Sequence, residues 1–424
     1  MNNQALISLL IFIFVYALII CDLLPRSIVS LGGAVVLFIL GVIKDREVVS
    51  LINWEAMGLI FGMFILVRIL VESGFFDVLS SYILKLSRGK ATVVFLSLSI
   101  ATGIMAAFMD SITVMLFIAT LSIEVSRKLK TNPVPFVLSQ ITAANIGGSA
   151  TLMGDPPNVI LGTGLGITLV QYVKYLAPIS LLTLLINGSL FLLTNKYAFR
   201  GAKDLDIQYI KSLKPLESAK NRYMLLTGAF SFLITIFLLI FHKDIGLTVG
   251  HVGIIGATIG LVLNGKRIAN IWEKIDWEVI VFFATLFIII GALETTGVIK
   301  DLANTIVSFT KGSAILTKNV LLWTSGILSG FIDNVPFAAS IVPLIKSLSG
   351  KVPLKLISMG LITSFGTDVG GNFTPIGASA NVVGLAILRN AGIEVTWKDY
   401  IKQVLPITAL ELIIADLLFL LLYR

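Results

Sequence analysis

The chain is written in long apolar runs separated by short polar joints. In the first half the runs cover about 5–21, 27–43, 54–73, 91–123, 136–165 and 176–194. In the second they cover about 223–241, 247–264, 277–296, 314–345, 354–391 and 401–423. A helix needs roughly 20 apolar residues to cross a bilayer, so most runs have the length of one crossing. Four do not fit. The runs 91–123 and 314–345 are long for one helix and carry Asp110 and Asp333 near their centres, which predicts a re-entrant hairpin with its tip near mid-membrane. The runs 136–165 and 354–391 are interrupted by GGSATLMGDPPN and by GGNFTPIGASAN. Proline removes a donor and restricts the residue before it, and glycine frees the backbone. Each run therefore predicts a helix broken into two halves, tolerated at that depth only where it is buried or lines a cavity.

The two halves are copies. Trp54-Glu55 recurs as Trp277-Glu278, 223 residues further on (277 minus 54), and Asp110 recurs as Asp333 at the same offset. Gly147-Gly148 matches Gly370-Gly371, Thr151 matches Thr374, Gly154 matches Gly377, and Asn158 matches Asn381. Apolar helices share Leu and Ile by chance; they do not share Trp-Glu, Asp, Gly-Gly and Asn in register, so the signal is of duplication. Each half has five crossings plus a hairpin, and an odd number of crossings turns the second copy upside down. The expected fold is an all-α membrane protein of about ten transmembrane helices in two inverted repeats, each with a re-entrant hairpin and a broken helix. The expected divisions are a first repeat over 1–195, a cytoplasmic linker over 196–222 and a second repeat over 223–424.

Composition agrees: 56% of the 424 residues are hydrophobic and 13% charged, with mean hydropathy +0.97. That excludes a water-soluble enzyme, a disordered chain and a disulfide scaffold. One cysteine, Cys21, excludes an intrachain disulfide and a thiolate metal site, and two histidines are too few for a zinc site. The net charge of +8 belongs to basic loops on the cytoplasmic face rather than to nucleic-acid binding. Lys and Arg favour the linker side by about two to one, with Arg26 counted among its loop charges, which places the linker in the cytoplasm and both termini outside. The first run has no basic residue before it and no small-residue cleavage site after it, so it reads as a span and not a signal peptide.

Candidate chemistry gathers in the hairpin tips and the breaks, since transporters built from inverted repeats hold cargo between broken helices. Ser149, Thr151, Asn158, Asn372, Thr374, Ser379 and Asn381 offer side-chain donors and acceptors there. Asp110, Asp333, Asp155 and Asp368 are intramembrane carboxylates able to ligate a cation or carry a proton. Asp155 has a second reading, as the cap of the half-helix that starts at Pro156. Asn145 in the first copy becomes Asp368 in the second, so the two breaks need not do the same job. Arg68 and Glu72, four apart, read as an internal ion pair. His251 reads as a buried hydrogen-bonding group, while Glu294, Glu411 and Asp416 are left undecided. No HExxH occurs, and Gly154-Asp155 lacks the second glycine of an intramembrane aspartyl protease, so an enzyme is not expected.

GGSATLMGDPPNVILG (Gly147–Gly162) resembles the signature of the arsenite-efflux, P-protein and NhaD-type sodium–proton antiporter branch of the ion transporter superfamily. GGNFTPIGASANVV, FIDNVPFAASIVPLI and INWEAMGLIFGMFIL extend the likeness over nearly the whole chain. The resemblance implies a secondary transporter with a scaffold and a moving transport domain, an elevator-type motion and a homodimer in the bilayer, with no cofactor beyond a coupling Na+ or H+. Carried over by position, it nominates Asp110, Ser111 and Thr113 with Asn145 and Ser149, and Asp333 and Asn334 with Asp368 and Asn372. Ser111, Asp368 and Phe373-Thr374-Pro375 depart from the usual pattern.

The leading expectation is proton-coupled efflux of a small inorganic solute, arsenite or antimonite, or cation/proton antiport in a prokaryotic plasma membrane. Arsenite is a neutral trihydroxide near neutral pH, and a pocket of hydroxyls and amides would have to hold it in place of thiolates. The alternative is a sodium- or proton-coupled importer of an oxyanion or carboxylate. The four motif pieces contain no arginine, which counts against a dianion. A passive channel is the third expectation.

Overall fold

The structure is a computed structural model that describes residues 3–21, 24–199, 202–268 and 270–422. Among these it is helical, with no strand beyond one isolated bridge, Ser349 to Val352. The first half runs α1 (Asn3–Cys21), α2 (Arg26–Ile39), α3 (Asp45–Leu51), α4 (Trp54–Ser73), α5 (Phe75–Leu86), α6 (Ala91–Ala106) and α7 (Ser111–Lys128). It continues through α8 (Pro133–Gly148), α9 (Pro156–Leu165), α10 (Leu169–Tyr175) and α11 (Ala177–Thr194). After α12 (Ile207–Ser212) in the connection, the second half runs α13 (Arg222–Phe241), α14 (Val249–Asn264), α15 (Trp277–Thr295) and α16 (Val298–Thr310). It ends with α17 (Ala314–Ser329), α18 (Asn334–Leu348), α19 (Leu356–Gly370), α20 (Ser379–Asn390) and α21 (Trp397–Leu422).

Six described helical segments are long and apolar enough to cross a membrane: α4, α11, α13, α14 with the 3-10 turn that extends it to Ile268, α15 and α21. The count is below ten because α1 and α2 are shorter apolar helices and the broken runs come in pieces. Both hairpins and both breaks fall where the sequence put them. The first pairs α6 with α7 around a loop ending at Asp110, and the second pairs α17 with α18 around a loop ending at Asp333. The breaks separate α8 from α9 and α19 from α20. The structure adds two amphipathic helices, α5 and α16, in stretches the hydropathy pattern left as joints. Each follows a glycine in the left-handed region, Gly74 at φ 83° and Gly297 at φ 88°, which closes the preceding span and turns the chain.

The innermost elements are the broken helices: α8 is buried continuously from Pro135 to Gly148 and α19 from Ser358 to Gly370. They can lie so deep because glycine faces glycine. A Cβ on Gly147 would stand 1.9 Å from the Gly103 carbonyl oxygen of α6, and one on Gly370 would stand 2.1 Å from the Gly326 Cα of α17. Small residues let backbones approach in this way and replace the hydrophobic drive that lipid cannot supply. The α4–α14 pair uses the same device, with Gly62 against Gly253.

The described part of the connection between the halves is bonded to the first half. Lys203 N donates to Leu129 O at 2.9 Å, Leu205 N to Gly89 O at 2.9 Å, and Ala91 N to the Asp204 carboxylate at 3.1 Å. These bonds pin it to the base of the first hairpin.

Candidate substrate and ion site

Four helices begin at one place. α7, α9, α18 and α20 start at Ser111, Pro156, Asn334 and Ser379, and all four residues line a cavity of about 370 Å³. Helix N-termini carry partial positive charge and favour anionic groups. Three of the four preceding positions are filled accordingly, by Asp110, Asp155 and Asp333, while the fourth is Ala378.

The three carboxylates are used differently. Asp110 Oδ1 accepts from Thr113 N at 2.8 Å and Asp333 Oδ1 from Val335 N at 3.1 Å, so both cap their own helices. Asp155 does not cap α9, against one of its two sequence readings. Its Oδ1 accepts from Ser111 Oγ at 2.8 Å and its Oδ2 from Asn334 Nδ2 at 3.1 Å. One carboxylate thus ties the first residues of both hairpins' inner helices, one from each half of the chain.

The facing wall comes from α2, α4, α15 and the turn before α15. The Arg26 guanidinium pairs with Asp333, whose other contact here is Ser379 Oγ, donating to Oδ2 at 3.4 Å. Arg68 and Glu72 form the expected ion pair at 2.5 Å, and Lys274 Nζ joins the same Glu72 oxygen at 2.7 Å. The motif pieces hold no arginine, as the sequence shows, but Arg26, counted there as a loop charge, is the first residue of α2 and reaches the cavity. It lies 307 positions from Asp333, and no spacing rule connects them. In all, Asp110, Asp155, Asp276, Glu278 and Asp333 line the cavity against Arg26, Arg68 and Lys274.

The nominated residues divide into two groups. Asp110, Ser111, Thr113, Asp155, Asp333, Asn334 and Ser379 line the cavity. Asn145, Ser149, Thr151, Asn158, Asp368, Asn372, Thr374 and Asn381 do not; they are buried behind it. Several there satisfy backbone, identically in both halves. Thr151 donates to the Ala107 carbonyl and Thr374 to the Gly330 carbonyl, each fastening a break to its hairpin loop. Asn158 Nδ2 donates to Gly148 O at 2.6 Å and Thr151 O at 3.3 Å; Asn381 Nδ2 donates to Gly371 O and Thr374 O, both at 2.8 Å. Ser149 donates to Ile146 O at 2.7 Å and shares a bond with Ser180 at 2.9 Å.

Cross-ties join the halves behind the cavity. Asn145 Nδ2 donates to Asn372 Oδ1 at 2.7 Å and Asn381 Oδ1 at 2.9 Å, and Ser364 donates to Asn158 Oδ1. Asp368 is fully buried in this region, and neither carboxylate oxygen accepts a hydrogen bond. Glu411 on α21 is buried with both oxygens unpartnered as well, so one of the undecided acids lies deep inside. Glu294 is exposed, and Asp416 accepts from Trp323 Nε1 at 3.1 Å. His251 is exposed, against expectation, with Nδ1 3.1 Å from Thr248 Oγ1.

Replacing Thr374 by valine leaves the Gly330 carbonyl without this donor in a buried loop. The expected cost is about 1–3 kcal/mol, read as a lower melting temperature in detergent, and Thr151→Val should match it. An unshifted melt in both variants would remove the fastening role.

A chain of apolar helices whose paired hairpins and breaks enclose a charged cavity is an integral membrane protein, and similarity to known proteins makes it a membrane transporter. Residues 16–360 match the model of the citrate transporter family, CitMHS, and the chain belongs to that family. It is 30% identical to a 46 kDa membrane protein of Mycobacterium leprae over 423 residues, 98% of each chain. It is 27% identical to the human P protein, covering 96% of this chain and 58% of the P protein. Among solved structures, the YdaH transporter of Alcanivorax borkumensis superposes with TM-score 0.66 at 13% identity, over 99% of this chain and 98% of that one. MtrF of Neisseria gonorrhoeae superposes with TM-score 0.58 at 15% identity, over 89% and 83%. At those identities the likeness is one of fold.

Proposed function

We propose that the protein is a secondary active transporter that exchanges a small cation or a neutral inorganic solute such as arsenite for protons, through the cavity between the hairpin tips. The observation that carries this reading is the convergence of Asp110, Asp155 and Asp333 on one cavity, from two hairpins and a break. Five acidic side chains against three basic ones favour a cation or an uncharged solute over a dianion. Two further facts support proton coupling. Asp155 can hold both hairpin tips through Ser111 and Asn334 or serve a passing ion, and the two uses compete for the same oxygens. Asp368, without a donor, needs a proton or a cation, since a bare carboxylate in a low-dielectric interior is costly. The inverted arrangement of the halves and an elevator-type motion belong to this proposal; the equal-offset hydrogen bonds of the two breaks support the repeat itself.

Import of a carboxylate is the second reading. It is supported by four helix N-termini and Arg26 at the cavity and by the family's description as citrate transporters.

Purified protein in liposomes with a trapped pH dye separates the readings. Sodium, arsenite or citrate is added under an imposed proton gradient, and proton movement and solute content are followed. Proton release coupled to sodium or arsenite supports exchange, and citrate accumulation supports import. Solute that only equilibrates, with no response to the proton gradient, would mean a passive pore.

A further inference from the structure

We propose that Arg26 is a tethered counter-ion for Asp333, filling that carboxylate's site in the unloaded carrier and yielding it to an incoming monovalent cation or proton. The inference rests on the cavity being the transport site and adds how its second acidic tip is kept neutral between loads.

Three observations carry it. The first is where Arg26 sits. It is the first residue of α2, which packs on α1 and α15, and a positive charge at a helix N-terminus is unfavourable. A partner that offsets this lies across the cavity wall, on the hairpin. The second is the geometry of the pair. The Asp333 side chain is 4% exposed and that of Arg26 33%, so the carboxylate is set into the wall and the guanidinium stands over it on the open side. A long flexible side chain in that position can swing clear without disturbing the hairpin, whose own cap, Asp333 Oδ1 to Val335 N, uses the other oxygen.

The third is an asymmetry. The hairpins are built alike, yet the position equivalent to Arg26 is Val249, buried in α14, and no ion pair to Asp110 is found among the described residues. A hairpin of this construction therefore folds without an arginine over its tip. Arg68 and Lys274 share Glu72, which leaves Arg26 as the basic cavity residue paired with a motif carboxylate. The other charged or titratable groups near Asp333 are Asp155 at the start of α9 and Tyr16 of α1, whose hydroxyl donates to Pro336 O at 2.6 Å; Asp110 lies on the same cavity. Arg68, Lys274, Asp276 and Glu278 line the same cavity, and among the described residues Arg26 is the base ion-paired with Asp333.

The test uses dicyclohexylcarbodiimide, which attacks protonated carboxyl groups in apolar surroundings, with the proton as the competing cation. Full-length protein in liposomes is treated between pH 5.5 and 8.5, and modification of the Asp333 peptide is quantified by mass spectrometry. In the wild type, labelling should stay low while Arg26 fills the site and increase as protons displace it. Removing a facing positive charge makes a carboxyl easier to protonate, so Arg26→Gln should be labelled about tenfold more than the wild type at the same pH. Arg26→Lys keeps the charge and should follow the wild type. Equal labelling of the wild type and Arg26→Gln across this range would overturn the assignment, as would an Arg26→Lys variant that labels like Arg26→Gln. A lack of solute-coupled proton movement would sink the transport reading separately, because the labelling profiles do not depend on cargo.

Discussion

Asp333→Asn, and separately Asp110→Asn, should reduce solute-coupled proton movement to the level of empty liposomes while leaving a folded, monodisperse protein. The fold survives because asparagine is as good an N-cap as aspartate, so α18 and α7 keep the bonds their first turns now receive from Oδ1. What disappears is the charge. A neutral amide can neither carry a proton nor hold a cation in the cavity, and intramembrane carboxylates that face a cavity are retained for those tasks. Melting temperatures within a few degrees of the wild type would certify the fold. Undiminished coupled transport in both variants would take the hairpin tips out of the site.

The second large effect is on stability. Gly147→Ala and Gly370→Ala each force a methyl group into backbone, 1.9 Å from the Gly103 oxygen and 2.1 Å from the Gly326 Cα. Backbone cannot rotate aside as a side chain can, so a hairpin and its broken helix would have to separate. The expected loss is about 3 kcal/mol or more, at the upper end of overpacking costs, seen as little or no monodisperse protein on gel filtration. Gly32→Ala is the matched control: it lies within α2 with nothing within 4 Å of the added carbon, and alanine there should stabilise by about 0.5–1 kcal/mol. If the two core variants purify and melt like the wild type, the glycine contacts do not hold the interior together.

Much of the architecture could be read from the chain because its signals are local or repetitive. Runs of apolar residues give the spans, Gly-Gly and Asp-Pro-Pro give the breaks, and the offset of 223 makes each half a check on the other. α5 and α16 escaped because 12 and 13 residues with charges among the apolar positions look like joints, and nothing local says they are helical. The site was legible in part. Asp110, Asp155, Asp333 and Ser379 could be named because they sit in motifs, yet the motif also contains residues whose work is to satisfy backbone. Thr151, Thr374, Asn158 and Asn381 look like cargo ligands by type and turn out to fasten loops, a distinction that depends on which carbonyl each meets. Arg26 and Lys274 lay out of reach for the opposite reason. They belong to no motif, and only the folded chain brings them to the cavity.

The wall made by the hairpins and breaks is welded. Each hairpin loop is fastened to its own break, Asp155 bridges both tips, and Asn145 and Ser364 stitch the copies together behind them. The opposite wall meets this block along a seam with fewer polar ties: Tyr16 on Pro336 O and Ser340, Arg26 on Asp333 and Asn53 on Thr163, beside the packing of α15 and α16 on α18. A vessel with one rigid side and one lightly buttoned side gives way along the buttons. On the proposed transport reading the welded half would slide as a single block past α1 and α2, and thiols placed on the two sides of that seam would record the displacement where a pair placed within the block would not.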